Sequence, residues 1–470
     1  MPSFLQKYKK IYLIGIKGVG MTMLAQFLKE KGANVSGSDT AEKFLTDAVL
    51  KKEKIKVLNF SKQNIKSNLG LVINSSAYTK ENNIELAELA SKKIKSLTYA
   101  EALGDIFNQH YGVAVCGSHG KTTTSAWLGY VLWKSGLRPN VLVGSSVPQF
   151  KGSSLASSAK LFIAECDEYQ NKLQYFKPQG VVLNNIDYDH PDFFKTKASY
   201  DKVFADFISK IPAAGFLVAN NSDRRVKKLY AKNKGWLLNY DLVVSEKEYQ
   251  KQKDRVRFLA YNHYFKDGYQ YFKVNDLGEF KIKIIGRHNV YNALAVIAAA
   301  YALGLEMPVI KKHLATFIGT TRRAEFLGKY KSIPIYDDYA HHPTEVQATL
   351  AAFREAHQDK KIVAVFHPHT FTRTLALFND FKKSFGLADK LIIIDIYGSA
   401  REKQGGVSSR ELIEAIKEWN QKQGIRQAVI YQKDLSAVEK YLRNSLTDKD
   451  LLLLMGAGDI FRIGQNLIKS

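Results

Sequence analysis

The order of strand-like and helix-like segments predicts an α/β fold, divided into three domains over residues 1–106, 107–320 and 321–470. In the first and third of these stretches, short apolar segments alternate with helical ones, which is typical of parallel βα units. In the middle stretch, aromatic and polar residues alternate between residues 236 and 285, which is typical of antiparallel strands. A chain of 470 residues also exceeds what one hydrophobic core usually serves.

The first domain opens with a glycine-rich turn between a strand and a helix. We expect strands over residues 11–16, 34–38 and 71–74. The turn Gly15-Ile-Lys-Gly-Val-Gly20 would place backbone N–H groups and a helix N-terminus where a diphosphate can bind, with Asp39 ending the next strand. Its spacing, G-x-x-G-x-G, differs from the dinucleotide fingerprint G-x-G-x-x-G, so a nicotinamide cofactor is the weaker alternative.

The central domain begins with a motif for binding phosphate. A predicted strand that starts at Tyr111 leads into Gly117-Ser-His-Gly-Lys-Thr-Thr-Thr124, and a helix is expected from Thr122 to near Gly136. Backbone N–H groups of such a loop hold phosphate oxygens, Lys121 would neutralise the terminal phosphates, and Thr122 would place its hydroxyl on Mg²⁺. The loop is shorter than the usual G-x-x-x-x-G-K-[ST], and a glycine turn without a ligand is the alternative.

Acidic residues follow the next two predicted strands of the central domain. Strands over residues 160–164 and 180–183 end in Glu165-Cys-Asp-Glu168 and in Asn184-Asn-Ile-Asp-Tyr-Asp-His190. Carboxylate and imidazole groups at these strand ends would complete a divalent-metal site beside Thr122. Polar strand caps without a metal are the alternative, but the phosphate loop favours the metal site.

The rest of the central domain contains a ribbon and a long helix. Asp267-Gly268 stands where a hairpin turn would join two strands of an antiparallel ribbon over residues 236–285. An alanine-rich helix is expected over residues 289–303, before Gly304 and Pro308.

The third domain is predicted to be a doubly wound sheet whose ligand residues lie at the carboxyl ends of its strands. We expect strands near residues 333–337, 362–366, 391–395, 428–431 and 451–455. Two of them end in loops rich in ionisable groups, Asp337-Asp-Tyr-Ala-His-His-Pro-Thr-Glu345 and Phe366-His-Pro-His-Thr-Phe-Thr-Arg-Thr374. Two such loops at adjacent strand ends favour a ligand site over structural histidines.

Composition narrows the class of protein. The formal net charge is +24, but the lysines are scattered and no nucleic-acid-binding motif is present, so we expect a solvated basic surface and no nucleic-acid partner. Two cysteines, Cys116 and Cys166, lie in predicted buried strands, which fits a reducing cytoplasm. The N-terminal segment lacks a leader pattern and no apolar run approaches ~20 residues, so we expect a cytoplasmic protein without a membrane span.

Motifs in a fixed order along nearly the whole chain resemble those of the Mur ligases. They are the G-x-H-G-K-T-T-T loop, Ala164-Glu-Cys-Asp-Glu168, Asn185-Ile-Asp-Tyr-Asp-His190, Gly286-Arg-His-Asn-Val-Tyr-Asn292, Gly319-Thr-Thr-Arg-Arg323, the segment from Asp337 to Glu345, and Gly456-Ala-Gly-Asp459. The resemblance implies an N-terminal Rossmann-like domain that holds a UDP group and a central P-loop ATPase-type domain. It also implies a C-terminal Rossmann-like domain that closes over the nucleotide.

Two motifs, Gly15-x-x-Gly-x-Gly-Met21 and Phe366-x-Pro-His-x-x-x-Arg-Thr374, resemble the family members that add L-alanine. The implied activity is ligation of L-alanine to the lactyl carboxylate of UDP-N-acetylmuramate, a step of peptidoglycan precursor synthesis. The carboxylate attacks the γ-phosphate of ATP to form an acyl phosphate, and the amine then displaces phosphate, with ADP as co-product. ATP and Mg²⁺ are the implied cofactors, and a monomer or weak homodimer is expected.

The resemblance also assigns roles to individual residues. The implied metal ligands are Thr122, Glu165 and His190, and the implied catalytic groups are Lys121, Glu165, His190, His341 and Arg373. The implied nucleotide contacts are Gly117, Ser118, His119, Gly120, Lys121, Thr122, Thr123, His288, Asn289, Asn292, and Arg322 or Arg323. The implied contacts to the UDP-sugar or the amino acid are Gly18, Gly20, Asp39, Ser75, Ser76, Tyr339, His341 and Arg373. Because two anions must meet in this chemistry, Lys121, Mg²⁺ and Arg373 would offset their charge.

Some positions depart from the family pattern. Thr321 stands where glycine is usual, and Asn83-Ile84 stands where Asn-Pro is common, so the local backbone at these two places is expected to differ. Several family members carry a carbamylated lysine where this chain has Ala205, so we predict no carbamate bridge.

Three alternative functions remain beside this assignment. A murein peptide ligase would attach a recycled peptide to the same UDP-sugar, but Arg373 and the turn at residues 456–459 argue against it. An NAD-dependent oxidoreductase would leave the phosphate loop at residues 117–124 unexplained. A non-catalytic nucleotide-binding regulator would not need Lys121, Glu165 and His190.

Overall fold

The computed structural model describes residues 7–44, 46–66, 68–398 and 404–469, and within them the chain forms three β-sheets. The sheets contain five, ten and six strands in chain order. The predicted α/β fold with three domains is therefore confirmed. Residues 1–6, which belong to the N-terminal segment considered for a leader, lie outside the described residues.

The first sheet is wholly parallel, with the strand order β3-β2-β1-β4-β5. Its strands are β1 (Lys10–Ile14), β2 (Asn34–Asp39), β3 (Lys56–Asn59), β4 (Leu71–Asn74) and β5 (Ser96–Thr98). Its helices are α1 (Val19–Glu30), α2 (Thr46–Lys52), α3 (Ile84–Ser91) and α4 (Tyr99–Asn108). The predicted strand over residues 11–16 ends earlier, at Ile14, because Gly15 has a φ of +79° and turns the chain towards α1.

The central sheet has the order β15-β14-β13-β12-β11-β10-β6-β9-β7-β8. Its strands are β6 (Tyr111–Cys116), β7 (Asn140–Val147), β8 (Gly152–Leu155), β9 (Leu161–Glu165), β10 (Gly180–Leu183), β11 (Phe216–Asn220), β12 (Trp236–Leu242), β13 (Phe258–Lys266), β14 (Tyr269–Val274) and β15 (Glu279–Ile282). Its helices are α5 (Lys121–Lys134), α6 (Lys197–Ile208), α7 (Arg224–Lys228), α8 (Glu246–Gln252), α9 (Arg287–Ala302) and α10 (Met307–Leu314).

The predicted antiparallel ribbon over residues 236–285 is partly wrong. Strands β13, β14 and β15 pair antiparallel, and Asp267-Gly268 forms the predicted hairpin turn, with φ values of +52° and +76°. Strand β12, however, pairs in parallel with both β11 and β13. The reason is that α8 connects β12 to β13 and returns the chain in the same direction.

The alanine-rich helix α9 is buried on all sides, and residues Ala293 through Ala300 have no exposed surface. Its small side chains let it lie close to α5 and to the central sheet within one apolar core. At its first turns, Asn292 Oδ1 accepts a hydrogen bond of 3.2 Å from Thr124 Oγ1. The packing of α9 therefore fixes the position of its polar N-terminus beside the phosphate loop.

The third sheet has the order β16-β17-β21-β18-β19-β20. Its strands are β16 (Glu325–Tyr330), β17 (Ile333–Asp338), β18 (Lys361–Phe366), β19 (Lys390–Ile393), β20 (Ala428–Tyr431) and β21 (Asp450–Met455). Its helices are α11 (Pro343–Ala356), α12 (Phe371–Ala376), α13 (Phe378–Phe381), α14 (Ser409–Gln423), α15 (Leu435–Ser445) and α16 (Phe461–Lys469). Short 3₁₀ segments occur elsewhere in the chain, at Lys62–Asn64, Pro148–Phe150, Tyr169–Tyr175, Tyr230–Lys232 and Asn275–Leu277.

The third sheet is doubly wound, as predicted. Ala364 and Phe366 of β18 face a core shared with α11 and α14, whereas Val363 and Val365 face a second core shared with α15 and α16. Strand β16, which pairs antiparallel with β17 at the edge, was not predicted. Its side chains are only partly buried or exposed, so it lacks the apolar run that marks the other strands.

None of the helices in the described part of the chain combines the length and the apolar character that crossing a bilayer requires.

Candidate active site

The phosphate loop, residues 117–120, lies between β6 and α5 at the carboxyl edge of the central sheet. Gly117 and Gly120 have φ values of +122° and +78°, a region that favours glycine. A Cβ atom on Gly120 would lie 2.5 Å from Asn292 Oδ1, so a larger residue would collide with α9. The loop is thereby held in a tight turn that leads into the N-terminus of α5, where an anion is stabilised.

Lys121 folds back over the loop. Its Nζ donates to the carbonyl oxygens of Gly117 at 2.5 Å and Ser118 at 3.2 Å, and it lies 3.0 Å from Glu168 Oε2. Burial acts to lower the pKa of Lys121, but the charge of Glu168 outweighs it and the pKa lies above its ordinary value. Lys121 is therefore a cation, and a bound phosphate would compete with Glu168 for it.

Glu165, the last residue of β9, contacts the start of α5. Its Oε1 accepts a hydrogen bond of 2.9 Å from Thr122 Oγ1, and its Oε2 accepts one of 2.6 Å from the backbone N–H of Gly144. A Cβ atom on Gly144 would lie 2.7 Å from Glu165 Oε2, so glycine is what lets the carboxylate approach the backbone. Two of the three predicted metal ligands are thus in direct contact.

The third predicted metal ligand, His190, lies in a neighbouring group. One ring nitrogen of His190 and one carboxylate oxygen each of Asp167 and Glu168 lie within 4.8 Å of one another. His190 has a φ of +57°, and its ring centroid lies 4.5 Å from that of Tyr169. Because Glu168 also pairs with Lys121, this oxygen-rich group adjoins the phosphate loop, and its donors suit a cation such as Mg²⁺.

Arg373 of α12 reaches across from the third sheet to Asp189, which follows β10 of the central sheet. Its Nε lies 3.1 Å from Asp189 Oδ1 and its Nη2 lies 3.3 Å from Oδ2. Both residues are 8% exposed. Burial alone would raise the pKa of Asp189, but the guanidinium holds it well below its usual range. This bidentate ion pair joins the two sheets at the site.

The loop between β17 and α11 supplies His341 and Glu345. The Nδ1 atom of His341 lies 2.9 Å from the carbonyl oxygen of Tyr339, and because a carbonyl only accepts, Nδ1 carries the proton and Nε2 keeps a lone pair. Burial lowers the pKa of His341 to about 3, so the ring is neutral at pH 7. Glu345 Oε2 accepts from the backbone N–H groups of His341 and His342, which caps α11.

His119 of the phosphate loop lies between two carboxylates that come from different sheets. Its Nε2 is 3.1 Å from Asp187 Oδ2, and its Nδ1 is 3.1 Å from Glu345 Oε1. Burial would lower the pKa of His119, but hydrogen bonds to the two carboxylates raise it to about 9. His119 is therefore a cation at pH 7 and forms a second contact between the central and third sheets.

A cavity of about 370 Å³ opens beside the phosphate loop, between the central and third sheets. The predicted nucleotide contacts that line it are His119, Gly120, Thr123, His288, Asn289, Asn292 and Arg323. Burial lowers the pKa of His288 to about 4, so this ring faces the cavity as a neutral group. The remaining predicted phosphate-loop residues, Gly117, Ser118, Lys121 and Thr122, adjoin this cavity through the loop and α5.

Of the two arginines left open as nucleotide contacts, Arg323 lines the cavity and Arg322 braces the third sheet. Arg322 Nε donates to Asp337 Oδ2 at 2.9 Å, and its Nη2 donates to the carbonyl oxygen of Gly456 at 2.6 Å. Tyr339, a predicted substrate contact, lies beneath both guanidinium groups, with its ring centroid 5.0 Å and 5.2 Å from their carbons. Arg322 therefore supports the loop that carries Tyr339.

The residues predicted to hold the UDP-sugar lie together at the carboxyl edge of the first sheet. Gly18 and Gly20 flank the start of α1, and Ser75 and Ser76 follow β4. Asp39, at the end of β2, accepts hydrogen bonds from the backbone N–H of Lys17 at 2.7 Å and from the Tyr78 hydroxyl at 3.1 Å. Ser75 Oγ accepts from the backbone N–H of Ala77 at 3.2 Å, and Ser76 is exposed. Through these hydrogen bonds, Asp39 and Ser75 also stabilise the turns at the carboxyl edge of the first sheet.

Tyr99, the first residue of α4, was not singled out from the sequence and connects the first sheet with the central carboxylates. A Cβ atom on Gly20 would lie 3.0 Å from its ring and 3.2 Å from its hydroxyl. Burial raises the pKa of the Tyr99 hydroxyl well above its ordinary value, and the negative charges of Glu165 and Asp167 raise it further. Tyr99 therefore packs against the glycine turn and lies near enough to Glu165 and Asp167 for their charges to act on its hydroxyl.

Comparison with known proteins decides the family. Three family models match successive parts of the chain: one for the catalytic domain of the Mur ligase family at residues 10–111, one for the Mur ligase middle domain at 115–300, and one for the Mur ligase glutamate ligase domain at 322–458. A protein of Desulfitobacterium hafniense named UDP-N-acetylmuramate–L-alanine ligase is 36% identical over 97% of this chain and 99% of its own length. The chain belongs to the Mur ligase family.

Solved structures of other Mur ligases share the fold. The UDP-N-acetylmuramate–alanine ligase MurC of Thermotoga maritima is similar with a TM-score of 0.79, at 23% identity over 98% of both chains. A murein peptide ligase of Psychrobacter arcticus is similar with a TM-score of 0.71, at 21% identity over 98% of both chains. The three-sheet architecture is therefore shared by Mur ligases of different named activities.

Several polar residues of this Mur ligase that contact the predicted site were given no role of their own from the sequence. They are Tyr99, Glu168, Asp187, Asp189 and Glu345 near the phosphate loop, and Asn220, Asp223, Tyr240 and Tyr291 in the cavity wall. Asp187, Asp189 and Glu345 lay within motifs already noted, so their position at a strand end was the available signal. Tyr291 lay within the motif at residues 286–292, whereas nothing local in the sequence marks Tyr240.

Proposed function

We propose that this Mur ligase joins L-alanine to the lactyl carboxylate of UDP-N-acetylmuramate, with ATP converted to ADP and phosphate, in the synthesis of peptidoglycan precursors. The observation that carries the proposal is the cavity between the central and third sheets, because His119 and Gly120 of the phosphate loop line one side and Arg323, Thr344 and Glu345 line the other. Relatives that bear the name of this reaction are similar over nearly the full chain.

In the first step, a lactyl carboxylate oxygen attacks the γ-phosphorus of ATP, the bond to the β,γ-bridging oxygen breaks, and ADP leaves. Two anions approach each other here, so the barrier contains a large repulsive term. Lys121, held as a cation over the loop, can offset that charge once the phosphate replaces Glu168 as its partner. His119 supplies a second cation on the same loop.

The residues present fit a divalent cation such as Mg²⁺. Thr122 and Glu165 offer oxygen donors that already contact each other at 2.9 Å, and His190 with Asp167 and Glu168 forms the adjoining donor group. We therefore assign Thr122, Glu165 and His190 as the residues that would hold it. When bound, the cation would supply positive charge next to the phosphate oxygens.

In the second step, the amine of L-alanine attacks the acyl carbonyl, the new C–N bond forms, and the C–O bond to phosphate breaks. His341 is neutral and keeps a lone pair on Nε2, so it can accept a hydrogen bond from the amino group and orient it. Arg373 can bind the developing anion or the carboxylate of the amino acid after exchanging partners with Asp189. The amine loses one proton overall, and the released phosphate is a group able to take it.

The UDP-sugar is assigned to the first sheet. Gly18 and Gly20 leave the N-terminus of α1 open for a diphosphate, and Asp39, Ser75 and Ser76 border the same edge. From there the sugar would pass Tyr99 on its way to Glu165. The substrate needs this path because its nucleotide stays on the first sheet while its lactyl group must reach the phosphate loop.

The setting of the reaction is also a proposal. We place it in the cytoplasm, because both cysteines are free and buried, which fits a reducing compartment. We retain residues 1–106, 107–320 and 321–470 as the domain bounds, since each of the three sheets falls within one of these stretches. We propose a monomer or weak homodimer.

The test compares two amine substrates. The purified chain is incubated with UDP-N-acetylmuramate and ATP, and phosphate release is followed after adding either L-alanine or the tripeptide L-Ala-D-Glu-diamino acid. We expect faster release with L-alanine. Faster release with the tripeptide would instead identify a murein peptide ligase, and release with neither would remove the proposal.

A further inference from the structure

A second group of metal-binding side chains lies in the described part of the chain, separate from the proposed Mg²⁺ residues. It consists of His119 and Asp187 from the central sheet and His342 from the start of α11 in the third. One ligand atom from each residue lies within 4.8 Å of the other two. His119 Nε2 is 3.1 Å and His342 Nδ1 is 3.8 Å from the same oxygen, Asp187 Oδ2, and the two imidazole centroids are 4.8 Å apart.

The surroundings of this group resemble those of a built metal site. Glu345 Oε1 lies 3.1 Å from His119 Nδ1, so a carboxylate is already placed to hold the ring when an ion displaces the proton from the opposite nitrogen, Nε2, and binds there. Thr344 Oγ1 donates to Asp187 Oδ2 at 2.7 Å. His342 is only 4% exposed, and its Nδ1, the ring nitrogen that faces Asp187, accepts a hydrogen bond of 3.3 Å from the backbone N–H of Thr344. This contact fixes the ring, and an ion bound here would replace that N–H as the partner of the Nδ1 lone pair.

The exposure of the three side chains and the atoms that they offer both bear on which ion this group could bind. The Asp187 side chain is 40% exposed, so an ion can enter from solvent, whereas the two imidazoles are largely buried. Two imidazoles with one carboxylate are the donors that zinc-class transition metals prefer, whereas Mg²⁺ prefers oxygen. We therefore expect this group to bind a zinc-class ion in preference to Mg²⁺, the ion that the reaction is expected to use.

We propose that His119, Asp187 and His342 form a binding site for a zinc-class transition-metal ion that joins the central and third sheets across the mouth of the nucleotide cavity. His119, Asp187, Thr344 and Glu345 all line that cavity, so an ion there excludes the nucleotide phosphates and holds the two sheets together. The site makes the enzyme sensitive to inhibition by such ions, and this sensitivity does not depend on which amino acid is ligated.

The experiment uses the full chain and Co²⁺ as the probe, because tetrahedral Co²⁺ absorbs visible light and binds the same ligands as Zn²⁺. With excess Mg²⁺ present to occupy the Thr122, Glu165 and His190 group, we expect a band that saturates at one Co²⁺ per chain, disappears on adding Zn²⁺, and weakens when ATP is present. His342→Gln is expected to weaken Co²⁺ binding by at least about tenfold. His190→Gln is the matched control, since it removes an imidazole from the Mg²⁺ group, and it should leave the band unchanged.

Circular dichroism and thermal melting of both variants would show that each is folded. If His342→Gln is unstable, Asp187→Asn provides the same test, because it removes the oxygen that faces both rings. Absence of a saturable band in the parent chain would overturn the proposal. So would a band that persists in His342→Gln or Asp187→Asn, or one that is lost in His190→Gln.

Discussion

At the scale of single residues, the site holds its cations in pairs with carboxylates. The pairs are Lys121 with Glu168, His119 with Asp187 and Glu345, and Arg373 with Asp189. Removing one partner of a buried pair leaves an uncompensated charge, so each of these cations needs a carboxylate or another anion beside it. When the nucleotide and the sugar bind, their anionic groups would replace these carboxylates as partners of the cations.

Lys121→Ala tests the first of these cations. We expect kcat to fall by about a hundredfold or more, because the mutation removes a positive charge aimed at the transferred phosphate. The affinity for UDP-N-acetylmuramate should change by less than about twofold, since that site lies on another sheet. Phosphate release and isothermal titration measure the two effects. Lys134→Ala, at the exposed end of the same helix, is the control, and full activity of Lys121→Ala would refute the assigned role.

His119 makes stability depend on pH. Its pKa in the folded chain, about 9, lies above the ordinary 6.5, so its contribution is fully present below pH 6.5 and is lost as the pH rises through 9. The pKa values of Asp187 and Glu345 are lowered, so these carboxylates stay ionised throughout that window. We expect the urea midpoint to fall between pH 6.5 and 9, and to fall less in His119→Gln. Equal declines in both proteins would contradict the assignment.

At the scale of elements, the two proposed anion sites lie at helix N-termini, one beside the first sheet and one beside the central sheet. Helix α1 begins after Gly18 and helix α5 begins after Gly120, and neither N-terminus has a side-chain cap. Their first N–H groups are therefore available to phosphate oxygens. Tyr99, at the start of α4, packs against Gly20 in the first turn of α1.

Gly20→Ala tests the contact between α1 and α4. The new Cβ would lie 3.0 Å from the Tyr99 ring, so the ring must shift by a few tenths of an ångström. We expect KM for UDP-N-acetylmuramate to rise by roughly tenfold, which corresponds to about 1.4 kcal/mol, with little change in KM for ATP. Tyr99→Leu in the Gly20→Ala background is the control, because it removes the ring that the new Cβ would meet, so KM should return towards the parent value. An equal rise there would assign the effect to the turn instead of Tyr99.

At the scale of the whole molecule, the central and third sheets are held together at the site by few polar contacts. The buried pair Asp189–Arg373 and the bridge from His119 to Glu345 both cross between them. Because these groups also belong to the proposed site, we propose that closure of the third sheet over the cavity would assemble that site.

Asp189→Ala tests this coupling. The mutation leaves Arg373 buried without its partner, so we expect the third sheet to move away and the radius of gyration in small-angle X-ray scattering to increase. ATP should reverse part of the increase by supplying a new anion. Asp206→Ala, which removes only an exposed pair with Lys202, should leave the scattering unchanged. Identical scattering curves for Asp189→Ala and the parent would rule out a closing role for this pair.

Prediction from the sequence succeeded where a local pattern carried the information. The strand, loop and helix over residues 111–134, the strand that ends at Glu165 and the doubly wound third sheet follow from apolar periodicity, while the phosphate and metal roles of the residues at these strand ends stay predictions. The parallel pairing of β12 and the edge strand β16 were missed, because pairing direction depends on a connection and edge strands lack an apolar run. The partners of Lys121, His119 and Arg373 come from distant segments, so no local pattern could identify them.

The central claim is that the carboxylate is activated as an acyl phosphate, and the fate of its oxygen tests this most directly. UDP-N-acetylmuramate labelled with ¹⁸O in the lactyl carboxylate is incubated with the chain, ATP and L-alanine, and the products are analysed by mass spectrometry. The proposed mechanism predicts one ¹⁸O atom in the released phosphate and one retained in the new amide. Phosphate without ¹⁸O, alongside the same amide product, would contradict it.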